Sequence, residues 1–393
     1  MSWTSIPAKE YCDSVRDGTH DTPKPTDDGY KLVTGKHIKN GCIDSTDAYY
    51  ISEDDYRKIN ERSLVEKWDV LMSMIGTVGE VAVVRETPDY AIKNIALFKC
   101  GGSEIKGKWL SYYLQSPMAK AHFSGNQKGS SQQFLSLKQL REMPVIVTDE
   151  AQMEKVVAIL SSYDELIENN QKQIKLLEEA TERLYKEWFV DLRFPGHENT
   201  PIVDGVPEGW SKKSMDELAE YLNGYAFKPS DWGTAGKPII KIKELNEGVT
   251  KDTPRNAGNS IPPKYIVAPG DILFSWSATL TAKIWDSEKG LLNQHLFKVI
   301  PSEGVCREFV LQSILMTLDE FKNLTTGSTM KHIQRGKLKD VFVCVPSLEI
   351  MKKYSEQGDT IRERILVLNR KIQLLSETRD ILLPKLMSGK IEV

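Results

Sequence analysis

An apolar heptad pattern occurs twice in this 393-residue chain, both times in the same phase. In the first run Met153, Val156, Leu160, Tyr163, Ile167, Asn170, Ile174, Leu177, Thr181, Leu184 and Trp188 alternate in steps of three and four. No Pro or Gly interrupts it, and the spacing predicts a long helix over 149–189 with a coiled-coil seam. Asp149 with Gln152 three residues on supplies an N-cap and its reciprocal partner. In the second run Met351, Tyr354, Gly358, Ile361, Ile365, Leu368, Ile372, Leu375, Arg379, Leu382 and Leu386 repeat the seam 198 residues later. Ser347 stands where Asp149 stood, and Ile372-Gln373-Leu374-Leu375 repeats Ile174-Lys175-Leu176-Leu177. The chain therefore reads as two repeats of about 200 residues, each ending in a long helix.

The stretches between the helices match as well. Trp3 pairs with Trp210, Gly41 with Gly248, and Gly129-Ser130 with Gly327-Ser328. Asp69-Val70-Leu71-Met72-Ser73 pairs with Asp271-Ile272-Leu273-Phe274-Ser275, and Leu97-Phe98-Lys99 with Leu296-Phe297-Lys298. Residues 70–84 and 272–285 are rich in β-branched and aromatic residues and predict strand pairs. Residues 108–123 and 307–324 have helical spacing, and short apolar runs at 145–147 and 341–343 lead into the long helices. Each globular half is expected to be α+β. The expected boundaries are 1–148, 149–190 for the first helix, 191–210 as a Pro- and Gly-rich linker, 211–346, and 347–393 for the second helix. Domain termini usually lie close together, so the second helix should run back antiparallel to the first. A parallel pairing would set Gly358 opposite Leu160 and Arg379 opposite Thr181, a poorer seam.

Bulk composition narrows the function classes. With 40% hydrophobic and 27% charged residues the chain is an ordinary globular protein, and no apolar run approaches the ~20 residues that span a bilayer. The first residues carry no basic segment followed by an apolar core, so no signal peptide is expected. Five scattered cysteines without a C-x-x-C suit reduced thiols in a cytoplasmic setting. The net charge of −3 does not advertise a nucleic-acid binder, yet a neutral domain can gather its basic residues on one face.

Catalytic signatures are missing. There is no G-x-G, no phosphate loop, no Asn-Pro-Pro-aromatic or Asp-Pro-Pro-aromatic stretch and no G-x-S-x-G, and the six histidines lack metal-ligand spacing. One loose nuclease pattern exists, Pro88-Asp89 followed by Glu104-Ile105-Lys106, where two carboxylates and a lysine could hold Mg²⁺. It is short and has no counterpart at 304–305, so a surface loop accounts for it. No metal and no cofactor are expected on this chain.

What remains is polar and basic. The first repeat has a Ser-, Asn-, Gln- and Lys-rich stretch at 124–133, with Lys128, Ser130, Gln132 and Gln133 as candidate DNA contacts. The second has 325–337, with Ser328, Lys331, His332, Gln334, Arg335 and Lys337. Such side chains hydrogen-bond base edges and phosphates, although a solvated loop has the same composition. A second pair is 17–23, with Thr19 and His20, and 223–228, with Tyr225 and Lys228. Leu176 and its counterpart Leu374 are apolar but off the seam, which marks them as candidates for packing against another subunit.

At this point the chain resembles the specificity subunit of type I restriction–modification systems over essentially its whole length. Residues 17–23 with Tyr30–Gly41 (YKLVTGKHIKNG) resemble the opening of one target-recognition domain class, which adds Lys36, His37 and Lys39 to the candidate contacts. Val206–Trp210 and Lys241–Leu245 resemble the opening of another and add Lys241 and Lys243. Leu184–Phe189 with Phe194-Pro195-Gly196, and Leu382–Ile391, look like the family's helix ends. The resemblance implies two tandem target-recognition domains, each reading one part of a split double-stranded DNA sequence, with the antiparallel coiled coil as spacer. It implies two methyltransferase (modification) subunits and restriction/translocase subunits as partners. S-adenosylmethionine, ATP and Mg²⁺ would belong to those partners, and the chain itself would not be an enzyme. Two other classes stay open on the residues alone: a stand-alone nuclease or methyltransferase, and a coiled-coil scaffold that does not bind DNA.

Overall fold

The computed structural model describes residues 3–39, 41–126, 134–277, 279–323, 333 and 335–393. The chain divides into two compact units, one built from 1–168 with 373–393, the other from 169–372.

In the first unit an antiparallel sheet has the order Ser14–Asp17, Ile95–Lys99, Val70–Ser73, Val81–Val83. In the second, Ala219–Asn223, Leu296–Pro301, Ile272–Ser275 and Thr281–Ile284 pair in the same order. Both central strands of each sheet are apolar on both faces, as strands covered on two sides must be. Each unit carries a further small sheet with a parallel pair: Tyr30–Thr34 beside Tyr90–Lys93, and Lys237–Ile240 beside Gly290–Leu292. A strand near the start of each repeat pairs with the strand that leads into the long helix, Thr4–Pro7 with Pro144–Val147 and Ser211–Ser214 with Phe342–Val345.

The segments expected as single helices are each broken in two. Glu104–Gln115 ends at Ser116, held extended before Pro117, where Pro117–Asn126 begins. Arg307–Met316 and Leu318–Asn323 part at Thr317, whose hydroxyl donates to the Ser313 carbonyl at 2.7 Å. The stretch 191–210 is more ordered than its composition suggests. It contains the hairpin Ile202–Val203/Val206–Pro207, and Phe194 is buried against Trp210 with ring centres 4.6 Å apart.

The long helices run Glu150–Tyr185 and Leu348–Leu386. Asp149 Oδ1 accepts from the Gln152 amide at 3.0 Å. Past Tyr185 the first helix widens to i→i+5 bonding, with the Asp191 amide donating to the Lys186 carbonyl at 2.8 Å. The extra residue in that turn lets Trp188 and Phe189 both face inward beside Tyr185. Within the first unit Val156, Val157 and Leu160 share a core with Leu383, Leu386 and Met387. Within the second, Tyr185, Trp188 and Phe189 share one with Ile350, Met351 and Tyr354. The start of one helix thus lies beside the end of the other in each unit, which is the antiparallel arrangement. No seam position is exposed.

Two polar seam entries have partners: the Thr181 hydroxyl donates to the Leu177 carbonyl at 2.8 Å, and Arg379 is paired. Arg379 donates to Asp164 at 2.8 Å, and Asp164 accepts from the Tyr112 hydroxyl at 2.6 Å. Burial, then the Asp164 charge, holds the Tyr112 phenol above its ordinary range, so it remains a donor. Gly358 has a packing reason: a Cβ there would lie 3.1 Å from the Cβ and Cγ of Glu308. Glu308 is itself fully buried and takes a fork of three bonds of 2.9–3.1 Å from Arg362, one turn on.

Candidate DNA interface

The same backbone crossing builds the candidate loop in each unit. In the first, the chain leaves Ser14–Asp17 and passes over the strand Tyr90–Lys93, with the Gly18 amide bonded to the Ile95 carbonyl at 2.9 Å and that of Thr19 to Ile92 at 3.0 Å. A Cβ on Gly18 would lie 2.3 Å from the Ile92 oxygen, so only glycine fits. In the second, Gly224 and Tyr225 bond to Leu296 and Leu292 at 3.1 and 2.8 Å, and a Cβ on Gly224 would lie 2.1 Å from the Asn293 oxygen.

Beyond the first crossing His20 is exposed. Its Nδ1 lies 2.7 Å from Asn94 Oδ1 and its Nε2 lies 3.2 Å from Asp17 Oδ2. Thr19, half-buried, accepts the Asp21 amide at 3.1 Å, and Lys93 bonds Thr22. His20, Asn94, Lys93 and Thr22 form one polar cluster with donors and acceptors near the surface. Asn94 adopts a left-handed φ of 54°, a conformation Asn tolerates better than most residues. Sequence reasoning missed Lys93 and Asn94, because they come to His20 only through the parallel strand pair.

Lys36 and Lys39 are exposed on the turn after Tyr30–Thr34, and Lys36 pairs with Asp47 at 3.1 Å. His37, expected as a DNA contact, serves the fold instead. It is 2% exposed, its Nδ1 accepts from the Thr34 amide at 2.8 Å, and its Nε2 faces Asp47 at 3.2 Å. Burial holds its pKa below the ordinary histidine value, outweighing the opposing pull of Asp47. Because the backbone N–H of Thr34 donates to Nδ1, the neutral form of the ring carries its proton on Nε2.

In the second unit Tyr225 is half-buried, with ring centres 5.0 Å from Phe227 and 5.5 Å from Tyr265. Lys228 and Lys243 are exposed, while Lys241 lies half-buried with its Nζ 5.5 Å from the centre of the Trp232 ring. Trp232, half-exposed and not singled out from the sequence, is braced by the Asn256 amide bonding Asp231 at 2.7 Å and by the bridge between Gly233 and Arg255. A lysine beside an open indole presents both a positive charge and a stacking face. Arg335 is exposed, whereas Lys337 is half-buried and pairs with Asp340 at 2.9 Å. Lys128, Ser130, Gln132, Gln133, Ser328, Lys331, His332 and Gln334 lie outside the described residues.

The nuclease pattern is not assembled as one site. Lys106 pairs with Asp13 at 3.2 Å, and Glu104 with Lys108 at 2.7 Å on its own helix. Among the described residues no group of three or more His, Cys, Asp or Glu could hold a metal ion, and no helix is long and apolar enough to cross a membrane. Leu176 and Leu374 are exposed by 64% and 54%, far from the buried state of an ordinary core leucine. On the second helix Val367, Leu374 and Ile381 follow one another every seven residues, all exposed.

A family model described as the type I restriction modification DNA specificity domain matches the chain twice, over residues 2–179 and 207–376. The MjaIX type I restriction enzyme specificity subunit of Methanocaldococcus jannaschii is 24% identical over 370 residues, covering 88% of this chain and 84% of that one. The EcoBI specificity subunit of Escherichia coli is 27% identical over 193 residues, covering 47% and 40%. The crystal structure of the S subunit from M. genitalium has a similar fold, with a TM-score of 0.55 at 14% identity over 98% of this chain and 96% of that one. With one match in each repeat, the chain belongs to the type I restriction–modification DNA specificity family.

Proposed function

We propose that this specificity subunit reads a two-part sequence in double-stranded DNA, one part through each globular domain, and directs methyltransferase and restriction subunits to it. The observation that carries the reading is the occurrence of the specificity domain once in each repeat, each copy with its own glycine crossing and its own set of exposed polar side chains. The domains are taken as 1–148 and 211–346, with the helices 149–190 and 347–393 between and after them. The chain recognises and assembles; methyl transfer and cleavage belong to its partners, with S-adenosylmethionine, ATP and Mg²⁺ bound there. Two methyltransferase subunits and a cytoplasmic setting complete the reading.

Two outcomes test it. Replacing His20 and Asn94 together by alanine relaxes one half of the methylated sequence, whereas Lys228→Ala with Lys243→Ala alters only the other. A base contact costs roughly 1–3 kcal/mol with relaxed specificity, and a phosphate contact weakens all sequences alike. Sequencing the methylated sites of DNA exposed to each assembled variant reads this out. Equal damage to both halves from one pair of changes would sink the modular reading.

The exposed leucines support subunit assembly through the helices, since apolar side chains off a two-stranded seam have no intramolecular partner. Leu176→Glu with Leu374→Glu is expected to weaken co-purification with the methyltransferase subunit while leaving thermal unfolding within about 0.5 kcal/mol of the parent, as surface changes do. Unimpaired assembly would argue that another surface is used.

A further inference from the structure

Each repeat also carries a cleft beside the strand that leads into the crossing. In the first unit it lies between Ser14–Asp17, the end of Glu53–Ser63 and Leu137–Arg141, and it is lined by Arg16, Asp17, Glu61, Arg62, Leu137 and Arg141. In the second it lies between Ala219–Asn223 and Arg335–Asp340. These are the same place in the repeat: Leu137 and Arg335 are 198 residues apart, as are Gly129 and Gly327, and Asp17-Gly18 corresponds to Asn223-Gly224.

The two clefts have different chemistry. The second is lined by Asp216 and Glu220 with one arginine, Arg335. The first gathers three guanidinium groups. Arg16 Nη1 donates to the Arg62 carbonyl at 2.8 Å, and Arg141 Nε donates to the Val15 carbonyl at 3.1 Å. Each is thereby oriented by one N–H and keeps its other donors. Among the described residues neither meets a carboxylate. The buried Asp17 is taken up by Arg62 on one side and His20 on the other. That shared carboxylate links Arg62 in the cleft to His20 in the candidate reading loop. A planar fork of donors held in advance suits a tetrahedral anion, because little side-chain freedom is lost on binding.

We infer that the first-unit cleft seats a backbone phosphate of the target duplex, with Arg16 and Arg141 as its donors, Arg62 held in place by Asp17, and Glu61 as an opposing charge at the rim. The inference rests on the DNA-reading function proposed above and adds a contact that carries no sequence information. In the second unit the acidic lining excludes the same role.

The test uses the full chain assembled with its methyltransferase subunits and measures duplex binding across a salt series. Arg16→Gln with Arg141→Gln should weaken binding to a target duplex and to an unrelated duplex by the same factor, about tenfold or more. It should also lower the slope of log K against log salt by about one, and leave the methylated sequence unaltered. Glu61→Gln should tighten both duplexes. An unaltered slope in the double variant would overturn the assignment, as would relaxation of one half of the methylated sequence, which would make the cleft a base reader. If the double variant melts below the parent, Glu61→Gln decides: tightening upholds the phosphate seat and no change overturns it. A parent complex that binds no duplex would instead remove the proposed function itself.

Discussion

Gly224→Ala is expected to destabilise the second unit by at least about 3 kcal/mol, and Gly18→Ala to do the same to the first. The added Cβ would sit 2.1 Å from the Asn293 oxygen in one case and 2.3 Å from the Ile92 oxygen in the other. Both obstacles are backbone atoms, which cannot rotate aside as a side chain can. The crossing strand must lift by roughly an ångström, a strain of order 1–3 kcal/mol or more. Lifting also breaks the Gly224–Leu296, Tyr225–Leu292 and Gln294–Tyr225 bonds, each worth about 1 kcal/mol net. The only opposing effect is the smaller entropy of an alanine in the unfolded chain, about 0.4–1 kcal/mol, which is too small to reverse the sign. Thermal unfolding of each single variant measures the effect, and methylated-site sequencing should show recognition lost in the matching half. A variant melting at or above the parent would mean that the crossing is loosely packed and that glycine is not required.

Glu308→Ala should cost about 3–5 kcal/mol, because it leaves the Arg362 guanidinium, 14% exposed, without its carboxylate. Forming the pair is a different matter from breaking it. Desolvating both charges offsets most of their attraction, so Glu308→Leu with Arg362→Met should restore most of the loss and could exceed the parent. A double-mutant cycle in denaturant isolates the coupling. The opposite pattern, a cheap single change and a costly double one, would show that the two side chains matter for shape alone. Gly358 enters the same argument. A larger residue there would press on the Glu308 stem at 3.1 Å and force the helices apart before the charges could meet.

Much of this architecture was legible from the residues. The heptad phase survives because a seam tolerates few polar entries, and the 198-residue offset between copies is visible without any structure. The hairpins near 70–84 and 272–285 announced themselves through β-branched and aromatic content. The parallel pairs joining 31–34 to 90–93 and 239–240 to 291–292 did not, since short strands far apart in sequence leave no periodic trace. For the same reason Lys93, Asn94, Arg62 and Trp232 escaped notice at the candidate site. His37 erred in the other direction: a basic residue among lysines looks exposed until its backbone partner at Thr34 is seen. Gly358 and Arg379, weak seam entries by pattern, became intelligible once Glu308 and Asp164 appeared opposite them.

The contact between Arg379 and Asp164 has a bearing on what the gene could become. The two positions are not equivalent in the repeat: Asp164 corresponds to Arg362, and Arg379 to Thr181. A protein made of two first repeats would set Asp164 against a threonine, leaving that carboxylate with Tyr112 alone. A protein made of two second repeats would set Arg379 against Arg362, a guanidinium already held by Glu308, so no ion pair would form there. Attraction arises only when one copy of each is present, so the helices discriminate between the mixed pairing and either uniform one. Charge at this one crossing therefore favours one copy of each repeat over two of either. A chimera that exchanges only the globular domains keeps the lock, whereas one that duplicates a helix loses it.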